Sequence, residues 1–444
     1  MSLRAWCWIG VIGCSLLPRA ARAGNDDELL VGNQAAMLGG AVIATVNDSS
    51  ATWYNPAGLG SVDRDQFDIS ATVYTLRSYT VPKFLATPSG AYANGSVTEF
   101  VVAPTQIAYV RRLSDKTALG FGYFVPKASN FVLRENLTDA EGNPPSQWQL
   151  AAAGADTQHI GALAVGTRLR SNLRLGASLL GGYAASVASA SLFGSVSPDG
   201  STPEASSAIS TVATGSRFSL QVALGMQWQL SPQLTLGASL RTPELQLHAS
   251  ENNNYNVSVT SLLKPLDPQF GATAREEVQS VGPDLVKAGR AAVSVSYGYA
   301  FGWVTAELDI QPGLHRERVG VNRKAVWNAR LGWYHILSPV LSFGLGLFTD
   351  RSSDAEAYSL LEGTGHFYGG TAGIELSNEH LLAATERATS LTFKSVFALR
   401  YAFTSGDFGR IVGDPERFPD PFLTERGDIY IHELGLYVGG GMRF

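Results

Sequence analysis

From Phe218 to Leu230 the chain alternates without a slip. Phe218, Leu220, Val222, Leu224, Met226, Trp228 and Leu230 share one face of a strand, and Ser219, Gln221, Ala223, Gly225, Gln227 and Gln229 share the other. Soluble sandwich strands rarely keep one face apolar for so long. A strand crossing an outer membrane must do so, because lipid wets one face and a polar interior the other. Beyond the N-terminal segment no run of eighteen uninterrupted apolar residues occurs, so spanning helices are not expected.

Similar segments recur at 66–79, 98–112, 117–132, 156–170, 173–192, 216–230, 234–248, 287–301, 303–311, 325–337, 340–350, 366–376, 391–403 and 428–444. Tight turns are expected at Ser114–Lys116, Ser171–Asn172, Ser231–Gln233, near Gly302 and at Ser338–Pro339. They alternate with long polar stretches near 80–97, 133–155, 193–215, 249–285, 312–324, 351–365 and 404–427, expected as loops. The connection at 377–390 is longer than its side of the pattern requires. The fold expected is all-β: a fourteen-stranded antiparallel transmembrane barrel, closed so that no long amphipathic strand is left as an edge. No linker divides the 444 residues, and only 16% of them are charged.

The N-terminus carries Arg4, an apolar run from Ala5 to Leu17, and Ala21–Arg22–Ala23 before Gly24, the pattern of a signal peptide over 1–23. Val11–Ile12–Gly13–Cys14 is the competing lipoprotein-type site. Cleavage after Ala23 removes Cys7 and Cys14, leaving no thiolate for disulfides or metal sites. It also removes three arginines, taking the net charge from −5 to −8. An acidic mature chain is a poor partner for nucleic acid.

Behind that segment, Val31–Ser61 reads as short helical pieces joined by turns, with Asp48 or Ser49 as an N-cap and Pro56 forcing Asn55 out of the helical region. At the other end, Leu434, Leu436, Val438, Met442 and Phe444 share one face of the last strand. A terminal aromatic there resembles the signal that barrel-assembly machinery reads. Three motifs carry a family resemblance. Gly39–Gly40–Ala41, Asp48 and Asn55–Pro56–Ala57–Gly58–Leu59 resemble the N-terminal hatch of the FadL family of outer-membrane long-chain fatty acid and aromatic hydrocarbon transporters, TodX-type members included. Gly120–Pro126 is similar to that family's third strand, and Leu236–Pro243 to its G-x-S-x-R-[ST]-P strand.

The resemblance implies a hatch over 24–60 inside a barrel over 61–444, in the bacterial outer membrane with periplasmic termini. It implies passive uptake of fatty-acid-like or aromatic molecules, and their release sideways into lipid. The lateral opening falls at Gly122, Tyr123, Val125 and Pro126, where a proline cannot donate to the ladder; the competing reading is a strand that simply ends. A monomer without cofactor is expected. On the strand faces opposite the apolar ones, Arg241, Arg290, Arg330, Lys394 and Arg400 point inward. Arg241, Arg330 and Arg400 are candidates to hold a ligand carboxylate, the alternative being lumen ion pairs with Asp or Glu. Trp303, Trp327, Trp333, Tyr297, Tyr299 and Tyr437 are expected as interfacial girdles. The seven histidines have no metal-ligand spacing, and neither a nucleophile elbow nor a phosphate loop occurs. A non-enzymatic channel is thus expected; a barrel with a structural or secretion-partner role is the alternative.

Overall fold

The computed structural model describes residues 29–197, 204–261, 272–354, 363–382, 389–417 and 421–444. The expected signal peptide, both cysteines and hatch residues 24–28 lie outside the described residues. Fourteen strands close into an antiparallel barrel. They are β1 (Gln66–Ala86), β2 (Tyr92–Arg112), β3 (Thr117–Asp139), β4 (Ser146–Arg170), β5 (Leu173–Val196) and β6 (Ala205–Gln229). Next come β7 (Leu234–Arg241 and Glu244–Ser261) and β8 (Ala272–Val281, Asp284–Lys287 and Arg290–Tyr299). The rest are β9 (Gly302–Gln311), β10 (Val326–Ser338), β11 (Leu341–Arg351), β12 (Gly363–Leu382), β13 (Thr389–Gly413) and β14 (Phe422–Arg443). Antiparallel pairing of β1 with β14, from Gln66↔Arg443 to Thr80↔Tyr430, shuts the sheet on itself.

The alternation read in Phe218–Leu230 sets the orientation of β6. Phe218, Leu220, Val222, Leu224, Trp228 and Leu230 are exposed, while Ser219, Ala223, Gly225 and Gln227 are buried in the lumen. Exposed Leu, Val, Ile and Phe recur on every strand around the wall, far beyond the apolar patch a water-soluble monomer tolerates. Aromatics on the outer face mark where that band ends. Tyr123, His159, Tyr183 and Phe218 form one run on β3–β6, with the Tyr123 hydroxyl 2.7 Å from His159 Nδ1. Tyr299, Phe301, Trp333, His335 and Phe343 form another beside the tight turn between β8 and β9. On β4, eleven residues separate His159 from Arg170 at the turn. At ~3.3 Å each and a tilt of about 40°, that is roughly 28 Å, the height of an outer-membrane apolar band.

Three expectations are corrected. Most of the stretches near 80–97, 133–155, 193–215 and 249–285 are strand, not loop. They form hairpins rising past the aromatic belt into a crown. Their outer faces turn polar there, while their inner faces turn apolar and bury Phe84, Leu85, Leu133, Trp148, Leu150 and Ile411 together. Backbone pairing needs no lipid face, so a search for one underestimates these strands. The long connection at 377–390 is likewise mostly ladder, paired out to Leu382↔Thr389. Finally, Trp303 and Tyr437 are not girdle residues: both face the lumen, Trp303 stacking on Tyr334 at 4.2 Å and the Tyr437 hydroxyl donating to Asn33 Oδ1 at 3.0 Å.

Candidate functional site: a hatch, a broken wall and a narrow cavity

The hatch contains two short helices, α1 (Asn33–Met37) and α2 (Ala51–Tyr54), and a 3-10 turn (Pro56–Ser61). Its N-cap is Ser50 rather than Asp48 or Ser49; Asp48 Oδ1 instead accepts from the Ser50 amide at 2.9 Å. Gly39 and Gly40 take φ of 61° and 82°, a conformation only glycine adopts cheaply, and reverse the chain after α1. Because short helices leave many backbone groups unpaired, the lumen supplies partners. Ser178 Oγ donates to Thr52 O, Ser239 Oγ to Tyr54 O and Thr371 Oγ1 to Met37 O, each at 2.9 Å. Gln227 Nε2 donates to Val46 O at 3.0 Å. Glu307 Oε2 accepts from the amides of Val42 and Ile43, both at 3.1 Å.

Asn55, Pro56 and Ala57 sit at the tightest point. Asn55 is fully buried; its Nδ2 donates to Ile43 O at 2.7 Å and Met226 O at 3.1 Å, and its Oδ1 accepts from Ala57 N at 3.2 Å. One side chain thus ties the hatch to itself and to β6. The floor beneath is a cross-strand row, Gly166↔Gly176↔Gly225, on β4, β5 and β6. A methyl group on any of the three would collide with Asn55 or Pro56. Across the lumen, Gly346 on β11 does the same for Leu38–Gly39. Taken one at a time along the chain, these residues look like any other strand glycine. The signal that distinguishes them is their position on the lumen-facing parity of neighbouring strands.

All five inward cations have acidic or carbonyl partners. Arg330 Nη1 donates to Glu307 at 3.0 Å and Asp309 at 3.2 Å, and Arg290 pairs with Asp309. Lys394 pairs with Glu375 at 2.6 Å and Arg400 with Glu433. Arg241 differs: its Nη2 donates to the Trp53 carbonyl oxygen at 2.5 Å and its guanidinium lies 4.0 Å from the Trp53 ring centre.

The wall is interrupted between β2 and β3. Their ladder runs from Arg112↔Ala118 to Gln106↔Phe124 and stops, although both strands continue. Pro126 follows on β3, with a shift in the β3–β4 register between Phe124 and Lys127; Pro104 follows on β2, with a shift against β1. Neither proline can donate to a ladder. Pro104 was missed in the sequence because only its place just past the end of the β2–β3 ladder, as Pro126 is on β3, gives it meaning. The break lies about seven residues above the turn, roughly 18 Å, inside the apolar band. Of the expected opening residues, Tyr123 faces outward beneath the break and Gly122 lies on the opposite face against the Phe124 ring, while Val125 and Pro126 line the break. Leu29, from the start of the described hatch, fills it. Its amide donates to Pro126 O at 3.0 Å and its side chain packs with Val101, Ala103 and Val125.

Just inside lies a narrow cavity of about 20 Å³. Trp53, Pro126, Ile160 and Leu180 supply its apolar lining, and Arg241, stacked on Trp53, supplies a charged lining together with Lys287, Arg290 and Glu244. Among the described residues no cluster of His, Cys, Asp and Glu suited to a metal ion is found.

No family model matches the chain. A Neisseria meningitidis protein described as an outer membrane protein is 31% identical over 109 residues, taking in 22% of this chain and 23% of that protein. Solved structures are similar over almost the full length. A Pseudomonas aeruginosa FadL homologue superposes with a TM-score of 0.59 at 10% identity, covering 95% of this chain and 100% of its own. The CymD monoaromatic hydrocarbon channel gives 0.56 at 14%, covering 96% and 99%. The Pseudomonas putida toluene transporter TodX gives 0.56 at 13%, covering 94% and 99%. At such identities the likeness is one of fold, and the fold this chain carries is that of the FadL-type channels, a closed fourteen-stranded barrel around an N-terminal hatch.

Proposed function

We propose that the protein is an outer-membrane channel for passive uptake of hydrophobic molecules, which leave sideways through the break between β2 and β3. The crown faces outward and the tight turns and termini face the periplasm. The observation that carries this reading is the break itself: a wall opening at the height of the apolar band, stopped by one leucine and backed by a partly apolar cavity. A hydrophobic molecule released there enters lipid without being rehydrated, whereas release through the turn end would expose it to water. The hatch blocks that axial route. The cavity is too narrow for a ligand as it stands, so Leu29 and Trp53 have to give way during passage.

The cavity also supports a chemical class. Its apolar lining suits a hydrocarbon chain or ring, and the guanidinium of Arg241, which lies at its edge beside Trp53, suits a carboxylate. Arg330 and Arg400, held by carboxylates, serve as lumen ion pairs in this reading. The test is uptake of radiolabelled oleate and toluene by a strain lacking the protein, with and without it restored. Restored uptake of either probe is expected, and Arg241→Ala should weaken oleate uptake several-fold while sparing toluene. No difference between the two strains for both probes contradicts the channel.

A further inference from the structure

The tip of the hairpin joining β1 and β2 does something the rest of the wall does not. Up to Thr80, β1 is paired with β14. Beyond it, Leu85 and Ala86 pair in parallel with Ile411 and Val412 of β13, two strands away. At those positions β14 already occupies one edge of β13, through Ile411↔Thr424 and Val412↔Leu423. The tip of β1 therefore leaves its place in the wall, passes β14 and takes the other edge, lying across the mouth of the crown. The sequence shows how. Pro82 interrupts the ladder, Lys83 takes a left-handed φ of 51°, and Pro82–Phe84 form a bulge opposite the single residue Asn94, between Val81↔Gly95 and Leu85↔Ala93. The bulge breaks alternation, so the adjacent Phe84 and Leu85 both point inward, each fully buried.

They are the centre of the crown's apolar cluster. Around them stand Leu133, Trp148 and Leu150 from β3 and β4, and Phe408, Ile411 and Phe422 from β13 and β14. The Phe84 and Phe408 rings are 5.8 Å apart, and Gly95 leaves space for the Phe84 ring. Apart from this apolar packing and the tip's own pairing with β2, the tip is held by two ladder pairs to β13 and by polar contacts at the turn, where Ser89 Oγ donates to Asp139 Oδ2 at 2.5 Å.

We infer that the β1–β2 tip is a hinged lid: Phe84 and Leu85 fill an apolar chamber at the crown, and an incoming hydrocarbon displaces them and occupies their place. The Pro82–Phe84 bulge is the hinge. Exchange of one apolar group for another leaves the chamber's burial unchanged, so only the short parallel ladder and the turn contacts have to break. A molecule with no apolar chain or ring gains nothing there and is refused. The inference rests on the channel reading for its ligand.

The test is a tether. Cysteines at Ala86 and Val412, neighbours in the parallel ladder, stand at strand spacing, within disulfide range. In proteoliposomes containing the otherwise full chain, uptake of radiolabelled toluene should fall at least tenfold when the bond is oxidised and return on reduction. A second variant, Phe84→Ala, should raise uptake several-fold with the barrel still heat-modifiable on gels. Equal uptake by the verified oxidised and reduced forms overturns the lid while leaving the channel standing. Absence of uptake by the untethered parent instead removes the channel reading, and the lid with it.

Discussion

Asn55 is where one side chain has most leverage. Asn55→Ala removes all three of its hydrogen bonds: the Ile43 carbonyl oxygen is left with Gln227 Nε2 at 3.3 Å, and Met226 O and Ala57 N lose this partner. At about 0.5–1.5 kcal/mol for each lost bond, the hatch should be loosened by roughly 2–4 kcal/mol. Single-channel recordings in planar bilayers should show larger and more frequent openings than the parent; an unchanged trace would mean that Asn55 does not hold the plug. Gly176→Val attacks the same contact from the wall. Valine suits a strand, so the barrel should still form, but its side chain meets Pro56 and should raise conductance in the same way. At this scale the sequence was legible on the hatch side only. Asn55–Pro56–Ala57 stands out as a string, whereas Gly166, Gly176 and Gly225 lie far apart along the chain and become one surface only through register. The inward cations were readable from strand parity, but their partners were not: which carboxylate meets Arg330 depends on how β9 aligns with β10.

Among elements, the hairpins show where periodicity succeeds and where it fails. Within the lipid band one face must be apolar, so the strands announce themselves. In the crown both faces are wet or packed by turns, and strands such as the upper parts of β3 and β4 pass for loops. The bulge at Pro82–Phe84 and the prolines Pro104 and Pro126 are breaks of pattern, visible as residues but not as a lid or a gap until the ladders are known. One crown contact also carries a pH dependence. The Leu285 amide donates to the Asp284 carboxylate at 2.8 Å, and Arg318 and Arg316 flank it at 2.8 Å and 3.8 Å, holding its pKa below the usual aspartate value. A lowered folded-state pKa gives stability that is present above the ordinary aspartate range, about 3.9, and lost as pH falls through the lowered value. Hydrogen exchange in 314–323 should therefore accelerate relative to the barrel strands as the pH is taken below that range, and Asp284→Asn should show the fast exchange at neutral pH. Exchange that is slow in the variant would mean that Arg316 and Arg318 do not anchor this loop.

For the whole molecule, closure of β1 on β14 predicts a barrel resistant to detergent at room temperature. The unboiled protein should migrate differently from the boiled one on gels, and extraction should require detergent; a species released by salt alone contradicts a lipid-facing band. The central claim is that the ligand leaves through the wall between β2 and β3. Val101 on β2 and Ala128 on β3 lie on opposite sides of that break, in and against the apolar cluster that Leu29 joins. With cysteines at the two positions, and Arg112↔Ala118 to Gln106↔Phe124 left intact below, a reducible thiol crosslink spans the break beside Leu29 and closes the opening. The measurement is uptake of radiolabelled oleate and toluene by cells carrying this pair, before and after reduction of a crosslink verified by mass spectrometry. Lateral release predicts uptake abolished in the oxidised form and restored in the reduced form; uptake indifferent to the crosslink would place the exit at the turn end of the barrel.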